Sequence, residues 1–227
     1  RMGKTLVPRR VNIVDAGQRK AMDLRVQCAV PDFSSLPQES VWPLVFSELL
    51  ELIRLHKTTL IFVNNRRLAE RVAAKLNEMI EGTQDTFNLY AVPLTSGISA
   101  PAQDTDFHGP SGSDIVQAYH GSMSRHARAH MEANLKAGKL KALVTTSSLE
   151  LGIDIGSIDL VVQLQSPKGV ARGLQRVGRS GHLVNATSKG RIFPTHREDL
   201  IESAVVAREM AAHEVEATSI PKDCLDV

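Results

Sequence analysis

Cysteine is nearly missing from these 227 residues: Cys28 and Cys224 are far apart, and neither has a Cys or His neighbour at ligand spacing. Neither a disulfide framework nor a zinc site is indicated. Long apolar runs are missing as well. Nothing approaches the roughly 18 consecutive apolar residues of a membrane span, and Arg1–Gly17 has no apolar signal-peptide core. Both absences point to a soluble, cytoplasmic chain, free or gathered on the nucleoid. Aromatics are scarce, at one Trp, two Tyr and six Phe, so stacking platforms for bases would be sparse and any nucleic-acid contact would run through phosphate. Between Leu160 and Arg197 acidic residues are absent altogether.

What is present is ordinary for a globular protein: 42% hydrophobic and 23% charged residues, which excludes disorder and fibrous classes. The length allows one large α/β domain or two small ones. A net charge of +2 conceals a strong local field. The acid-free segment carries Lys168, Arg172, Arg176, Arg179, Lys189, Arg191 and Arg197, and Gly121–Lys141 adds Arg125, Arg128, Lys136, Lys139 and Lys141 against Glu132 alone.

Residues 1–37 read as a linker or edge strand ending in a proline-marked turn. From Ser40, Val41, Leu44, Val45, Leu49, Leu52, Ile53 and Leu55 recur at helical spacing, with Ser40 as N-cap. Thr59–Val63 is a buried-type strand followed by a polar turn and a helix from Leu68 to Ile80. Pro93–Asp114 has no periodicity and reads as a surface insertion. Alternation then resumes: strand Val116–Tyr119, helix Ser124–Ala137, strands Leu140–Thr146 and Asp159–Leu164, helix Gly169–Val177, strand Arg191–Pro194 and helix Glu198–Ala212. Such β-α alternation predicts an α/β fold, a parallel sheet covered by helices.

Ligands of such sheets bind beyond the carboxyl ends of the strands, which directs attention to the polar residues after each apolar run. These are Asn64, Asn65 and Arg66; His120, Gly121 and Ser122; and Thr145, Thr146, Ser147 and Ser148. Each group could cap a helix or hold phosphate. Gly152 and Asp154 follow the last group, the glycine permitting close approach and the carboxylate able to accept from a ribose. Arg172, Arg176 and Arg179 fall at i, i+4 and i+7, on one helical face. Gly173 and Gly178 would each cost a helix interior about 1 kcal/mol relative to Ala, so something packs closely against them. Gly3-Lys4-Thr5 lacks the preceding half of a P-loop and the following helix, and no Asp-Glu pair follows an apolar strand. The chain therefore holds no complete ATPase site and reads as a piece of a longer protein.

In order along the chain, Thr59–Arg67, Tyr119–Ser122, Thr146–Asp154 and Gln175–His182 resemble motif IV, the following backbone-binding motif, motif V and motif VI of the second RecA-like domain of superfamily 2 helicases. Ser147–Asp154, Gly173–His182 and Phe193–Leu200 are similar to the large helicase-related (Lhr) family. The resemblance implies a RecA-like three-layer sandwich over 38–212, with 213–227 leading to a following domain. It implies an ATP-driven 3′ to 5′ translocase on single-stranded DNA that unwinds duplexes and RNA:DNA hybrids and serves DNA repair. ATP with Mg2+ would sit between this domain and a preceding RecA-like domain that supplies the metal ligands. Arg179 would be the arginine finger, with Gly152, Asp154, Gln175, Arg176 and His182 at the nucleotide. His182 stands where many relatives place arginine and would be a weaker, pH-dependent donor. Asn64, Asn65, Arg66, His120, Gly121, Ser122, Thr145 and Thr146 would face the nucleic-acid backbone. Leu151 stands where DEAD-box proteins usually show arginine, which lowers the RNA-specific reading. A DEAD-box or Ski2-like RNA helicase and a non-catalytic nucleic-acid-binding module are the alternatives; a third is a basic face that docks a protein.

Overall fold

The structure is a computed structural model that describes residues 12, 20–35, 40–82, 115–150, 155–181 and 187–217. The insertion 93–114, Leu151, Gly152, Asp154 and His182 lie outside the described residues. Six strands are present among them: β1 (Met22–Val26), β2 (Thr59–Phe62), β3 (Val116–Tyr119), β4 (Ala142–Thr145), β5 (Leu160–Leu164) and β6 (Ser188–Phe193). The helices are α1 (Trp42–Leu55), α2 (Arg66–Glu81), α3 (Arg125–Lys136), α4 (Val170–Val177) and α5 (Arg197–Ala212).

All strand pairs are parallel, in the order β1-β6-β5-β2-β4-β3. The side-chain period of two explains the layers. Ile61 and Val63 join Val144, Val162 and the inward residues of α1 and α2 on one face. Leu60 and Phe62 join Leu143, Val161, Met131, Leu135 and the buried residues of α4 and α5 on the other. A sheet buried on both faces needs continuous apolar strands, and β2, β4 and β5 are buried at every position. The sandwich expected from the sequence is therefore observed.

Local chemistry sets the helix starts. Asn65 Oδ1 accepts from Leu68 N at 2.8 Å to cap α2, and Ser124 Oγ accepts from Ala127 N at 3.1 Å to cap α3. For α1 the N-cap is Val41, one residue later than the expected Ser40, whose Oγ nevertheless accepts from Trp42 N at 3.2 Å. The edge strand β1 pairs with β6 and is further tied to it by a cation. Arg191 donates to Asp23 Oδ2 at 2.9 Å and to Asp23 O at 3.0 Å, and this guanidinium holds the Asp23 carboxyl below its usual range. One member of the basic segment is thus spent on the fold.

Strand order creates a divergence. From β2 the chain leaves through α2 on one face toward β3; from the adjacent β5 it leaves through α4 on the opposite face toward β6. Between such strands the connecting turns separate and leave a crevice at the carboxyl edge.

Candidate functional site

A cavity of about 320 Å3 opens at this crevice, lined by Val63, Asn64, Thr146, Ser147, Glu150, Lys168, Arg172 and Arg176. Three turns build it. After β2, Asn64 Nδ2 donates to Ser166 O at 3.2 Å and so ties its turn to the one after β5. After β4, Ser147–Leu149 forms a 3-10 turn, with Thr146 Oγ1 3.4 Å from Ser148 Oγ and Leu149 buried beneath. After β5, Gln165 and Lys168 adopt φ of 64°, and the buried Asp199 accepts from Ser166 N at 2.7 Å and Thr195 N at 2.9 Å. A left-handed backbone at two non-glycine residues is retained where the surroundings over-determine it, and Asp199 supplies that restraint. Lys168 pairs with Glu202 at 2.5 Å.

A second edge cluster lies beside it. Arg66 donates to Ser122 Oγ, and a Cβ on Gly121 would lie 3.6 Å from Ser148 Oγ, so the turns after β2, β3 and β4 are neighbours. Asn64, Arg66, Gly121 and Ser122 are exposed and Thr146 is half-buried. The other residues expected at the polymer are placed differently. Thr145 is fully buried, its hydroxyl donating to Thr146 O at 3.3 Å. His120 is buried, with Nε2 3.0 Å from Glu70 Oε1 on α2. Asn65 spends its side-chain oxygen on the cap of α2.

The arginines converge on one residue. Arg172 Nε lies 3.9 Å from Glu150 Oε1, and Arg176 Nε donates to the same oxygen at 2.8 Å. Arg179 donates to the Glu150 carbonyl oxygen from Nε at 3.1 Å and Nη2 at 2.6 Å. α4 ends at Val177, so Arg179 stands in the turn beyond the helix while keeping to the same side. Arg176 is 3% exposed, donates to Gln163 Oε1 at 2.6 Å and lies with its guanidinium carbon 5.0 Å from the centre of the Phe62 ring. Burial lowers its pKa, and the Glu150 carboxylate opposes that shift. The guanidinium assigned to the nucleotide by resemblance therefore faces into the fold. Gln175 is exposed on α4.

Glu150 and the N-terminus of α4 are features of the site that the sequence did not single out, and Lys168 and Arg172, known from the basic segment, were not assigned to it. The turn after β5 is not among the three strand ends singled out from the sequence, although Lys168 and Gly169 mark it. Gly169 offers no side chain to cap α4; Glu216, from the segment after α5, accepts from Ala171 N at 3.2 Å instead. A bond from its own backbone amide, and after it the amide of Ala171, holds the Glu216 carboxyl below its usual range. Among the described residues no group of three His, Cys, Asp or Glu could hold a metal ion. No helix among them is long and apolar enough to cross a membrane.

Comparison with known proteins places this geometry. Residues 110–183 match the family described as helicase conserved C-terminal domain. The Lhr helicase of Mycolicibacterium smegmatis is 44% identical over 211 residues, covering 92% of this chain and 14% of that protein. The ATP-dependent helicase Lhr-Core of Sulfolobus acidocaldarius is 42% identical over 215 residues, covering 95% and 22%. The structure of Mycobacterium smegmatis helicase Lhr bound to ssDNA and AMP-PNP superposes with a TM-score of 0.73 at 42% identity, over 89% of this chain and 23% of that one. The chain thus spans less than a quarter of the length of these relatives.

Proposed function

The chain belongs to the Lhr family as its helicase C-terminal, RecA-like domain, and from that premise we propose that it is the second motor domain of an ATP-dependent 3′ to 5′ single-stranded DNA translocase. The whole protein would unwind DNA duplexes and RNA:DNA hybrids and act in DNA repair. ATP would bind between this domain and a preceding RecA-like domain, which would also hold Mg2+; Gly152, Asp154, Gln175 and His182 are its proposed neighbours on this side. The observation that carries the reading is the convergence of Arg172, Arg176 and Arg179 on Glu150, next to the donor-lined cavity at the divergence of β2 and β5.

In this reading Arg179 is the arginine finger. Phosphoryl transfer spreads charge over the equatorial oxygens of the γ-phosphoryl group, and a planar, permanently charged guanidinium stabilises it. Arg179 must exchange its carbonyl acceptor for a phosphate oxygen, a stronger, charge-assisted bond. Arg176, enclosed by Glu150, Gln163 and Phe62, braces the helix beneath. Asn64, Arg66, Ser122 and Thr146 hold the polymer by its phosphates, joined by Lys168 and Arg172. These donors read charge and spacing, not base identity.

ATP hydrolysis by these 227 residues alone, with and without single-stranded DNA, tests the half-site. The expected result is no hydrolysis, with weak DNA binding whose log K falls against log salt by about 0.7 per phosphate engaged. Hydrolysis stimulated by DNA would mean a complete nucleotide site within the chain. Binding that ignores salt would contradict the phosphate contacts. Running DNA and RNA tracks side by side in the longer protein separates the DNA reading from an RNA helicase.

A further inference from the structure

We infer that Glu150 is a positioning residue through which the polymer-facing turn sets the position of Arg179, an inference that rests on reading Arg179 as the arginine finger. Glu150 sits at the junction of two sites. On one side it closes the 3-10 turn: its amide donates to Ser147 O at 3.1 Å, four residues after Thr146. Leu149, 1% exposed, pins that turn to the core, so Thr146, Ser148 and Glu150 move as one short unit. On the other side the same residue holds Arg179 by its carbonyl and Arg176 by its carboxylate.

The two grips differ in kind. Arg176 is enclosed by Gln163 and the Phe62 ring, so its guanidinium has a single place to be, and the Glu150 side chain bonded to it inherits that fixed position. A buried ion pair is a weak way to stabilise a fold, because desolvation offsets much of the attraction, but it fixes direction well. The grip on Arg179 is through a backbone oxygen. A guanidinium on a neutral carbonyl can leave for a phosphate oxygen, and how far it must travel depends on where Glu150 O stands. A polymer that shifts the Thr146–Ser148 turn therefore shifts the resting point of Arg179 without touching it. Arg172, half exposed and 3.9 Å from the same carboxylate, lines the cavity beside Thr146 and lets a bound phosphate act on Glu150 electrostatically as well.

The test uses the longer ATP-hydrolysing protein with Glu150→Ala and Glu150→Gln, measuring the ATP KM, kcat with and without saturating single-stranded DNA, the DNA Kd and Tm. The expected result for Glu150→Ala is a fall of about tenfold in the stimulated kcat relative to the unstimulated one, with KM and Kd within about twofold. Glu150→Gln, which keeps an oxygen for Arg176, recovers part of the stimulation. Should the alanine variant fail to fold, the glutamine variant carries the reading, with a stimulation ratio below that of the parent. A lowered Tm with the stimulation ratio intact in every folded variant overturns the inference and leaves Glu150 a structural brace. Arg179→Ala runs alongside: hydrolysis that survives it overturns the inference together with its premise, whereas hydrolysis lost there and stimulation retained in the Glu150 variants overturns the inference alone.

Discussion

Arg176 and Arg179 stand three positions apart in the chain and hold the same partner by different atoms, the carboxylate in one case and the carbonyl in the other. Spacing placed both on one face and could not separate them; burial does. The same holds for the residues after β3: His120 and Ser122 share a tetrapeptide, yet one is enclosed beside Glu70 and the other meets Arg66 at the surface. Just before them, Tyr119 makes a prediction of its own. Its ring is fully buried and its hydroxyl donates to Glu132 at 2.7 Å. Burial, and after it the Glu132 carboxylate, pushes its pKa up from 10.0 to about 12. In that interval the unfolded chain has released the proton and the folded chain still holds it, so this group's contribution to stability declines as pH rises from 10.0 to about 12. Urea melts of wild type and Tyr119→Phe should show a stability difference that shrinks across the interval; a constant difference would show that the phenol titrates normally.

At the scale of elements, α4 is where sequence and structure agree in part. Gly173 was expected to mark a close approach, and it does: a Cβ there would fall 2.4 Å from Met210 Sδ and 3.3 Å from Pro167 Cγ. Gly178 has another cause, because it is the C-cap of α4 and a Cβ would meet the helix's own Leu174 carbonyl at 2.9 Å. Met210 is fully buried on α5 and has no solvent to swing into. Gly173→Val should therefore force the two helices apart and cost about 1–3 kcal/mol of stability, read from the urea midpoint. An unchanged midpoint would mean that the α4–α5 contact is slack. Strands and helices were legible because unbroken apolar runs and helical periodicity each leave a local trace. The cap that Glu216 places on α4 was not, since its two ends are 45 residues apart and Gly169 carries no side chain to announce it. The bounds of edge strand β1 within residues 1–37 were not legible either, because its register is set by pairing with β6 and by the Asp23–Arg191 contact.

For the molecule as a whole, the parallel three-layer architecture was legible from β-α alternation, but the strand order was not. That order brings the turns after β2, β4 and β5 together although Asn64 and Ser166 are 102 residues apart, and it makes the cavity lined by Asn64, Thr146 and Arg172. One-dimensional spacing identifies the donors and leaves their grouping open. The donors gathered in the cavity include arginines, an amide and hydroxyls, which suit an anion. Arg179 is the residue on which the motor reading depends. In the longer protein, Arg179→Ala should lower DNA-stimulated ATP hydrolysis by a factor on the order of 10³ or more while single-stranded DNA binding persists at its usual salt dependence. Hydrolysis near the wild-type rate, with DNA binding lost instead, would show that this arginine holds the polymer and that the chain is a binding module.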